Sequence, residues 1–137
     1  TEFRKRLITL ENYANIALLP LITDKEYELE SFLEGALGYG KDRCLFCYKT
    51  RLEKAFQKAA DDRYDAVTTT LLYSKHQRHD SIREMGDELA DVYRIRFFYQ
   101  DFRKGWKVGI EESKKINMYR QQYCGCIFSE RDRYRDA

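Results

Sequence analysis

Five apolar positions open the chain at helical intervals. Phe3, Leu7, Leu10, Ala14 and Ala17 are separated by four, three, four and three residues, which predicts one stripe of an amphipathic helix. The apolar run Leu18 to Ile22 predicts a short strand. Asp24 is placed to cap a second helix over residues 25–34, with Tyr27, Leu29, Phe32 and Leu33 as its apolar contacts. Gly35, Gly38 and Gly40 predict its end and a flexible connector. A third helix is expected from Cys44 to Ala60, burying Leu52, Ala55, Phe56 and Ala59. The β-branched stretch Ala66 to Thr70 predicts a second strand, and a polar loop follows from Ser74 to His79. Ser81-Ile82-Arg83-Glu84 has the capping-box pattern and predicts a fourth helix with the stripe Ile82, Met85, Gly86, Leu89 and Val92. Arg94 to Phe98 predicts a third strand, and Trp106 to Ile116 a last helix. Met118 to Ser129 has no clean period. Glu130 to Ala137 is charged and reads as a tail outside a single catalytic domain of residues 1–129.

Strands alternating with helices predict an α/β fold, a parallel sheet flanked by helices. Ligands of such sheets sit beyond the carboxyl ends of the strands, so the loops after Thr70 and Phe98 are where function is sought. Length and composition agree: 137 residues, 43% hydrophobic, 35% charged, with one proline, describe an ordinary globular chain rather than a disordered one. No apolar run approaches the roughly 20 residues of a membrane span, and the longest, Ile16 to Ile22, is interrupted by Pro20. No signal-peptide pattern is read, so a cytoplasmic protein with no membrane partner is expected. The chain starts at Thr1, already in helical pattern, and the N-terminal part of a longer protein is expected to precede it. A net charge of +2 says little about nucleic acid, but Arg4 to Arg6, Lys75 to Arg78, and Arg103, Lys104 and Lys107 are basic clusters. Each reads as a solvated face or as phosphate contacts, and the 11 tyrosines include residues available for base stacking.

Cys44 and Cys47 form a C-x-x-C at the start of a helix, where i and i+3 share a face. A helix N-terminus favours thiolate, the metal-binding form of cysteine. Cys124 and Cys126 form a C-x-C across Gly125, which lets the backbone bend so that both sulfurs face one ion. Disulfides are not expected in a reducing compartment. A redox C-x-x-C pair lacks the strand that would precede it. Spacing alone leaves a four-thiolate zinc site and an iron–sulfur site both open.

Thr68, Thr69 and Thr70 close a strand at the ligand-facing edge; their hydroxyls serve a polar substrate or simply β-propensity. Ser74, His76, Gln77 and His79 make a polar cluster after that strand. Asp101 follows the third strand as a general acid, a metal ligand or a cap. Arg120 and Gln121 lead into the C-x-C and suit phosphate or base edges. The sequence has no G-x-G-x-x-G, phosphate loop, H-E-x-x-H or G-x-S-x-G, which removes support for nicotinamide, nucleoside-triphosphate and serine-hydrolase mechanisms.

Three segments then carry a resemblance: Thr68 to Ser74, Asp101-Phe102-Arg103, and Tyr119-Arg120-Gln121-Gln122-Tyr123-Cys124-Gly125-Cys126-Ile127-Phe128-Ser129. With Arg43 to Cys47, they resemble the QueH-type epoxyqueuosine reductases over nearly the whole chain, to about Ser129. The resemblance implies reduction of epoxyqueuosine to its alkene at the wobble position of tRNA. It implies an adenine-nucleotide-hydrolase-like (Rossmann-like) sheet, and a [4Fe–4S] cluster with an additional iron or other divalent metal ion beside it. Cys44, Cys47, Cys124 and Cys126 match the family's metal ligands, and Asp101 is the candidate carboxylate. Thr69, Thr70, Ser74, Gln77, Arg120 and Gln121 are the candidate substrate-binding residues. The partners implied are tRNA carrying epoxyqueuosine in its anticodon loop and an electron donor that the sequence does not identify. Two departures are visible. The family's first strand and its paired-cysteine motif are not in this chain, and Lys75 stands where the family commonly has proline. The main alternative is a zinc-stapled RNA-binding domain without catalysis; a sulfur-transfer enzyme would need an ATP site.

Overall fold

The computed structural model describes residues 1–26 and 28–135; Tyr27, expected in the second helix, and the last two residues of the expected tail lie outside them. The chain divides into two compact units, a central one of Glu26–Trp106 and a terminal one of Thr1–Lys25 with Lys107–Ala137.

The central unit holds α2 (Leu29–Gly38), α3 (Arg43–Asp61), β1 (Ala66–Val67), α4 (His79–Tyr93) and β2 (Arg96–Phe97). β1 and β2 pair in parallel, Ala66 opposite Arg96 and Val67 opposite Phe97. A parallel pair needs a crossover, and α4 supplies it. The fold class expected from the pattern is therefore present as a mainly helical α/β arrangement around a two-stranded parallel sheet.

Its core is a helix face laid on that sheet. Tyr48, Leu52, Phe56 and Ala59 of α3 follow a 3.6-residue period and are buried, with Val67, Leu72, Ile82 and Phe97 against them. Ala55, expected inside, is only partly buried, and Tyr48 takes the stripe one turn earlier. In α4 the stripe runs through His79, Ile82 and Gly86, while Val92 is 73% exposed and lies off it. Gly86 has a packing reason: a Cβ there would enter the Phe97 ring. Gly35 likewise sits against Phe46, so it belongs inside α2 instead of ending it.

Several expected boundaries move for local reasons. α2 begins at Leu29, after Glu28, so Asp24 is not its cap. α4 begins at His79, two residues before the expected capping box, and its entry is fixed by tertiary contacts of the preceding loop. The second strand stops at Val67 because Thr68 and Thr69 turn their hydroxyls to backbone. Thr68 Oγ1 donates to the Phe98 carbonyl at 2.8 Å, and Thr69 Oγ1 accepts from Leu71 N–H at 3.2 Å, capping a 3-10 turn over Thr70–Tyr73. The third strand starts at Arg96 because Arg94 is left-handed (φ 58°) and closes α4.

The terminal unit holds α1 (Glu2–Ile16) and α6 (Ile127–Tyr134); α5 (Trp106–Lys115) starts on the boundary residue. Leu18 to Ile22 is not a strand. Leu18 is left-handed (φ 53°), Pro20 has no N–H to donate, and no strand among the described residues pairs with the run. Residues 127–134, partly assigned to a charged tail, form α6, which Cys126 caps through its sulfur. Among the described residues, no helix is long and apolar enough to cross a membrane.

Candidate functional site

In the central unit the carboxyl ends of β1 and β2 lead into two 3-10 turns that pack together, Thr70–Tyr73 and Phe102–Gly105. The N-terminal end of α3 is tied to the same edge. Tyr48 is 2% exposed, and its hydroxyl donates to Gln77 Oε1 at 2.8 Å while accepting from Arg78 N–H at 3.0 Å. Burial raises the Tyr48 pKa, the nearby Cys44 and Cys47 add to the effect, and the phenol stays protonated as a donor. Asp42, just before α3, pairs with Arg78 at 2.7 Å. These contacts bring Cys44 and Cys47, one helical turn apart and half-buried, beside the loop that carries Ser74 and Gln77.

That loop is built from its own polar groups. Ser74 Oγ accepts from His76 N–H at 3.2 Å, and the Ser74 carbonyl meets His79 Nε2 at 3.1 Å. His79, which the sequence places in a polar loop cluster, is 6% exposed, and its Nδ1 has no hydrogen-bond partner among the described residues. Its place three residues before Ile82 and seven before Gly86, on one helical stripe, was the available signal.

Asp101 lies on the same edge and is held by one neighbour. Arg103 donates through Nε and Nη2 to the two carboxylate oxygens at 2.8 Å each, and Arg103 N–H reaches Oδ1 at 3.1 Å. Arg103 therefore holds the Asp101 carboxyl far below the ordinary carboxylate range, with His79 adding to the effect. At neutral pH Asp101 is an ionised carboxylate, suited to binding a cation or orienting a donor, and unsuited to giving up a proton. Thr70 is exposed at the start of its turn, and Thr69 is half-buried with its oxygen engaged as the cap.

The terminal unit carries the second cysteine pair. Cys124 and Cys126 place their sulfurs 3.7 Å apart. Cys126 caps α6, accepting from Ser129 N–H at 3.4 Å, and the Cys124 thiol donates to Ser129 Oγ at 3.0 Å. The neighbouring Cys124 thiol, and then burial, push Cys126 well above the ordinary thiol range. Two adjacent thiolates repel, so both ionise only when a cation lies between them.

The turn is held by Arg6, a member of the first basic cluster. Arg6 donates to the carbonyls of Cys124 and Tyr123 at 2.9 and 2.7 Å and to Glu2 Oε1 at 2.7 Å. Glu2 also accepts from the Tyr119 hydroxyl at 2.6 Å. Gly125 is required by this arrangement: its φ is +108°, and a Cβ would run into the Arg6 guanidinium. The i,i+4 spacing of Glu2 and Arg6 was visible in the sequence, but their target was not. Beside the turn, Glu2, Lys5, Tyr119, Tyr123, Glu130 and Tyr134 line an open cleft of about 430 Å³. Burial and Glu130 raise the Tyr123 pKa to about 12. Arg120 and Gln121 are exposed on the strand-free segment leading into the turn.

Each unit thus offers a cysteine pair as thiols, none of them in a disulfide. Within either unit, no three His, Cys, Asp or Glu side chains among the described residues gather around one point.

Comparison with known proteins gives one consistent match. The family described as Epoxyqueuosine reductase QueH matches residues 1–132. A protein of that name from Dehalococcoides mccartyi is 30% identical over 133 residues, covering 97% of this chain and 73% of its own. The Thermotoga maritima protein of the same name is 38% identical over 95 residues, 68% of this chain and 50% of its own. For the Streptococcus pyogenes protein the values are 34% over 92 residues, 66% and 36%. The chain therefore spans between about a third and three quarters of the length of these relatives.

Proposed function

We propose that this chain, which belongs to the Epoxyqueuosine reductase QueH family, reduces epoxyqueuosine to queuosine at the wobble position of tRNA. The observation that carries the reading is the Cys124-Gly125-Cys126 turn. Two thiolates sharing one tetrahedral ion at about 2.3 Å lie about 3.8 Å apart, and these sulfurs are 3.7 Å apart before any metal is considered. The donor set fits thiophilic metal chemistry, and Arg6 fixes the backbone that presents it.

Cys44, Cys47, Cys124 and Cys126 would be the thiolate ligands of the [4Fe–4S] cluster and the additional iron or other divalent ion, with Asp101 as the carboxylate. When bound, that metal group supplies a Lewis acid for the epoxide oxygen and a route for two electrons from an external donor. Conversion of an epoxide to an alkene consumes two electrons and two protons and releases the oxygen as water. Because Asp101 is held ionised by Arg103, solvent is the proton source and Asp101 acts as a fixed negative charge. Gln77 has its oxygen anchored by Tyr48, which leaves its amide N–H groups to meet the hydroxyls of the modified base. Thr69, Thr70 and Ser74 line the same edge with hydroxyls. Arg120 and Gln121 take phosphates and base edges of the anticodon loop, from which the wobble base is splayed to reach the site. The same reading makes β1 and β2 part of an adenine-nucleotide-hydrolase-like, Rossmann-like sheet in a cytoplasmic enzyme.

The test uses complete protein purified without oxygen, tRNA bearing epoxyqueuosine, and a strong chemical reductant. Nucleoside analysis should show epoxyqueuosine replaced by queuosine, and Cys124→Ala or Cys126→Ala should abolish the conversion. Zinc as the sole bound metal, with no visible charge-transfer absorption, would sink the reading in favour of a zinc-stapled RNA-binding domain. Turnover surviving both substitutions would overturn the ligand assignment.

A further inference from the structure

Trp106 is the single tryptophan of the chain. Within the central unit its indole stacks on Tyr73, with ring centroids 5.0 Å apart and planes at 29°. The Tyr73 hydroxyl donates to the Trp106 carbonyl at 3.2 Å, which fixes the pair. His76 meets the indole edge-on at 6.4 Å, and the Lys75 ammonium stands 5.7 Å from the ring centroid. Tyr73 and Trp106 are half-buried, Lys75 and His76 are exposed, and none of the four belongs to the hydrophobic core.

The cations here differ from others on the same edge. Arg78 is neutralised by Asp42 and Arg103 by Asp101. Among the described residues, neither Lys75 nor the neighbouring exposed Lys104 pairs with a carboxylate. The patch therefore offers a rigid aromatic pair with positive charge available to an anion. Single-stranded nucleic acid alternates those two features, flat bases and phosphates. An acidic peptide would use the charge and leave the stacked rings idle.

We propose that Tyr73, Lys75, His76 and Trp106 form the surface that holds a single-stranded RNA segment next to the reacting nucleotide. One base lies against the Trp106 indole, and Lys75 and His76 take the flanking phosphates. An exposed cation–π contact is weaker than a base stacked on indole, so Lys75 leaves the ring when a base arrives and turns to the backbone. The surface adjoins Gln77 in the same loop, which places the held nucleotide beside the proposed site. The inference rests on the proposed action on tRNA for its choice of partner.

Because Trp106 is the only indole among these 137 residues, its emission reports this surface once any tryptophan outside them is replaced by phenylalanine. An unmodified anticodon stem-loop RNA is titrated into the complete protein, with heparin as a polyanion without bases. RNA should quench the emission saturably and heparin should not. Lys75→Gln should weaken RNA binding about five-fold and make the log–log salt slope about 0.7 less negative. Lys58→Gln, at the other end of α3, should change neither. Absent RNA binding, binding with unchanged emission, an equal response to heparin, or equal effects of the two lysine variants would each overturn the proposal. Epoxide reduction with a silent Trp106 would remove this surface and leave the reductase reading standing. Quenching and a Lys75 effect without epoxide reduction would do the reverse.

Discussion

Gly125→Ala tests how the cysteine turn is built. At φ +108° an alanine is in a region essentially reserved for glycine, which costs about 1–3 kcal/mol. Its Cβ would also displace the Arg6 guanidinium, which holds the Tyr123 and Cys124 carbonyls. Buried charge-assisted hydrogen bonds are worth about 1.5–3 kcal/mol each. The Arg6 side chain is 25% exposed, so solvent screening reduces the displaced pair to about 1 kcal/mol. The sum is about 3 kcal/mol, expressed as local opening of residues 119–130 instead of global unfolding. Amide hydrogen exchange in that segment should therefore accelerate by about two orders of magnitude. Arg6→Ala removes the obstacle, so the cost of Gly125→Ala in that background should fall by about 1 kcal/mol. Exchange accelerated less than about three-fold, or two substitutions additive within about 0.5 kcal/mol, would show that Arg6 and Gly125 do not hold the turn together.

Tyr48→Phe should destabilise the central unit by about 1–3 kcal/mol in urea melts, since it strands Arg78 N–H and Gln77; protease cleavage at residues 74–78 should rise with it, and an unchanged midpoint would count against the anchor. Gly86→Ala should cost about 1–3 kcal/mol through overpacking against Phe97, although an exposed helical site would gain about 1 kcal/mol from the same change; a stabilised variant would contradict the close approach. Glu2 has its pKa lowered, first by the Tyr119 hydroxyl and then by Arg6. A folded value below the unfolded one means that this stabilisation is complete above the ordinary glutamate pKa and is lost as pH falls through the folded value. Carboxyl NMR should place the Glu2 titration below the ordinary value, and Glu2→Gln should remove the matching acid-dependent loosening of the turn; titration at or above the ordinary value would reject the contact.

The hydrophobic pattern announces α1, α3, α4, α5 and the motifs, whereas it displaces α2 and misses α6. The period of Leu52, Phe56 and Ala59 announces α3 with its buried face, because a helix must bury one stripe wherever it packs. The C-x-x-C, the C-x-C and the long segment around it were legible as letters, and the family followed from them. Strand lengths were not legible. Whether Thr68 and Thr69 continue a ladder or bond to backbone depends on the Phe98 carbonyl across the sheet, 30 residues away. Leu18 to Ile22 has strand composition and no partner strand among the described residues, and a strand exists only in a pair.

What the charged residues do is set by contacts across the fold. Arg6, Arg78 and Arg103 all sit in runs that read as basic surface, yet each is held by a carboxylate or a carbonyl. Composition cannot separate them from Lys75, because an ion pair is set by a distance across the fold and not by neighbours along the chain. His79 and Tyr48 are inside for the same reason: each bonds a loop group placed by packing. The sequence announced which residues have the chemistry of thiophilic metal binding. The fold decided that Arg6 and Gly125 hold one pair of those sulfurs at 3.7 Å, through contacts that span more than a hundred residues.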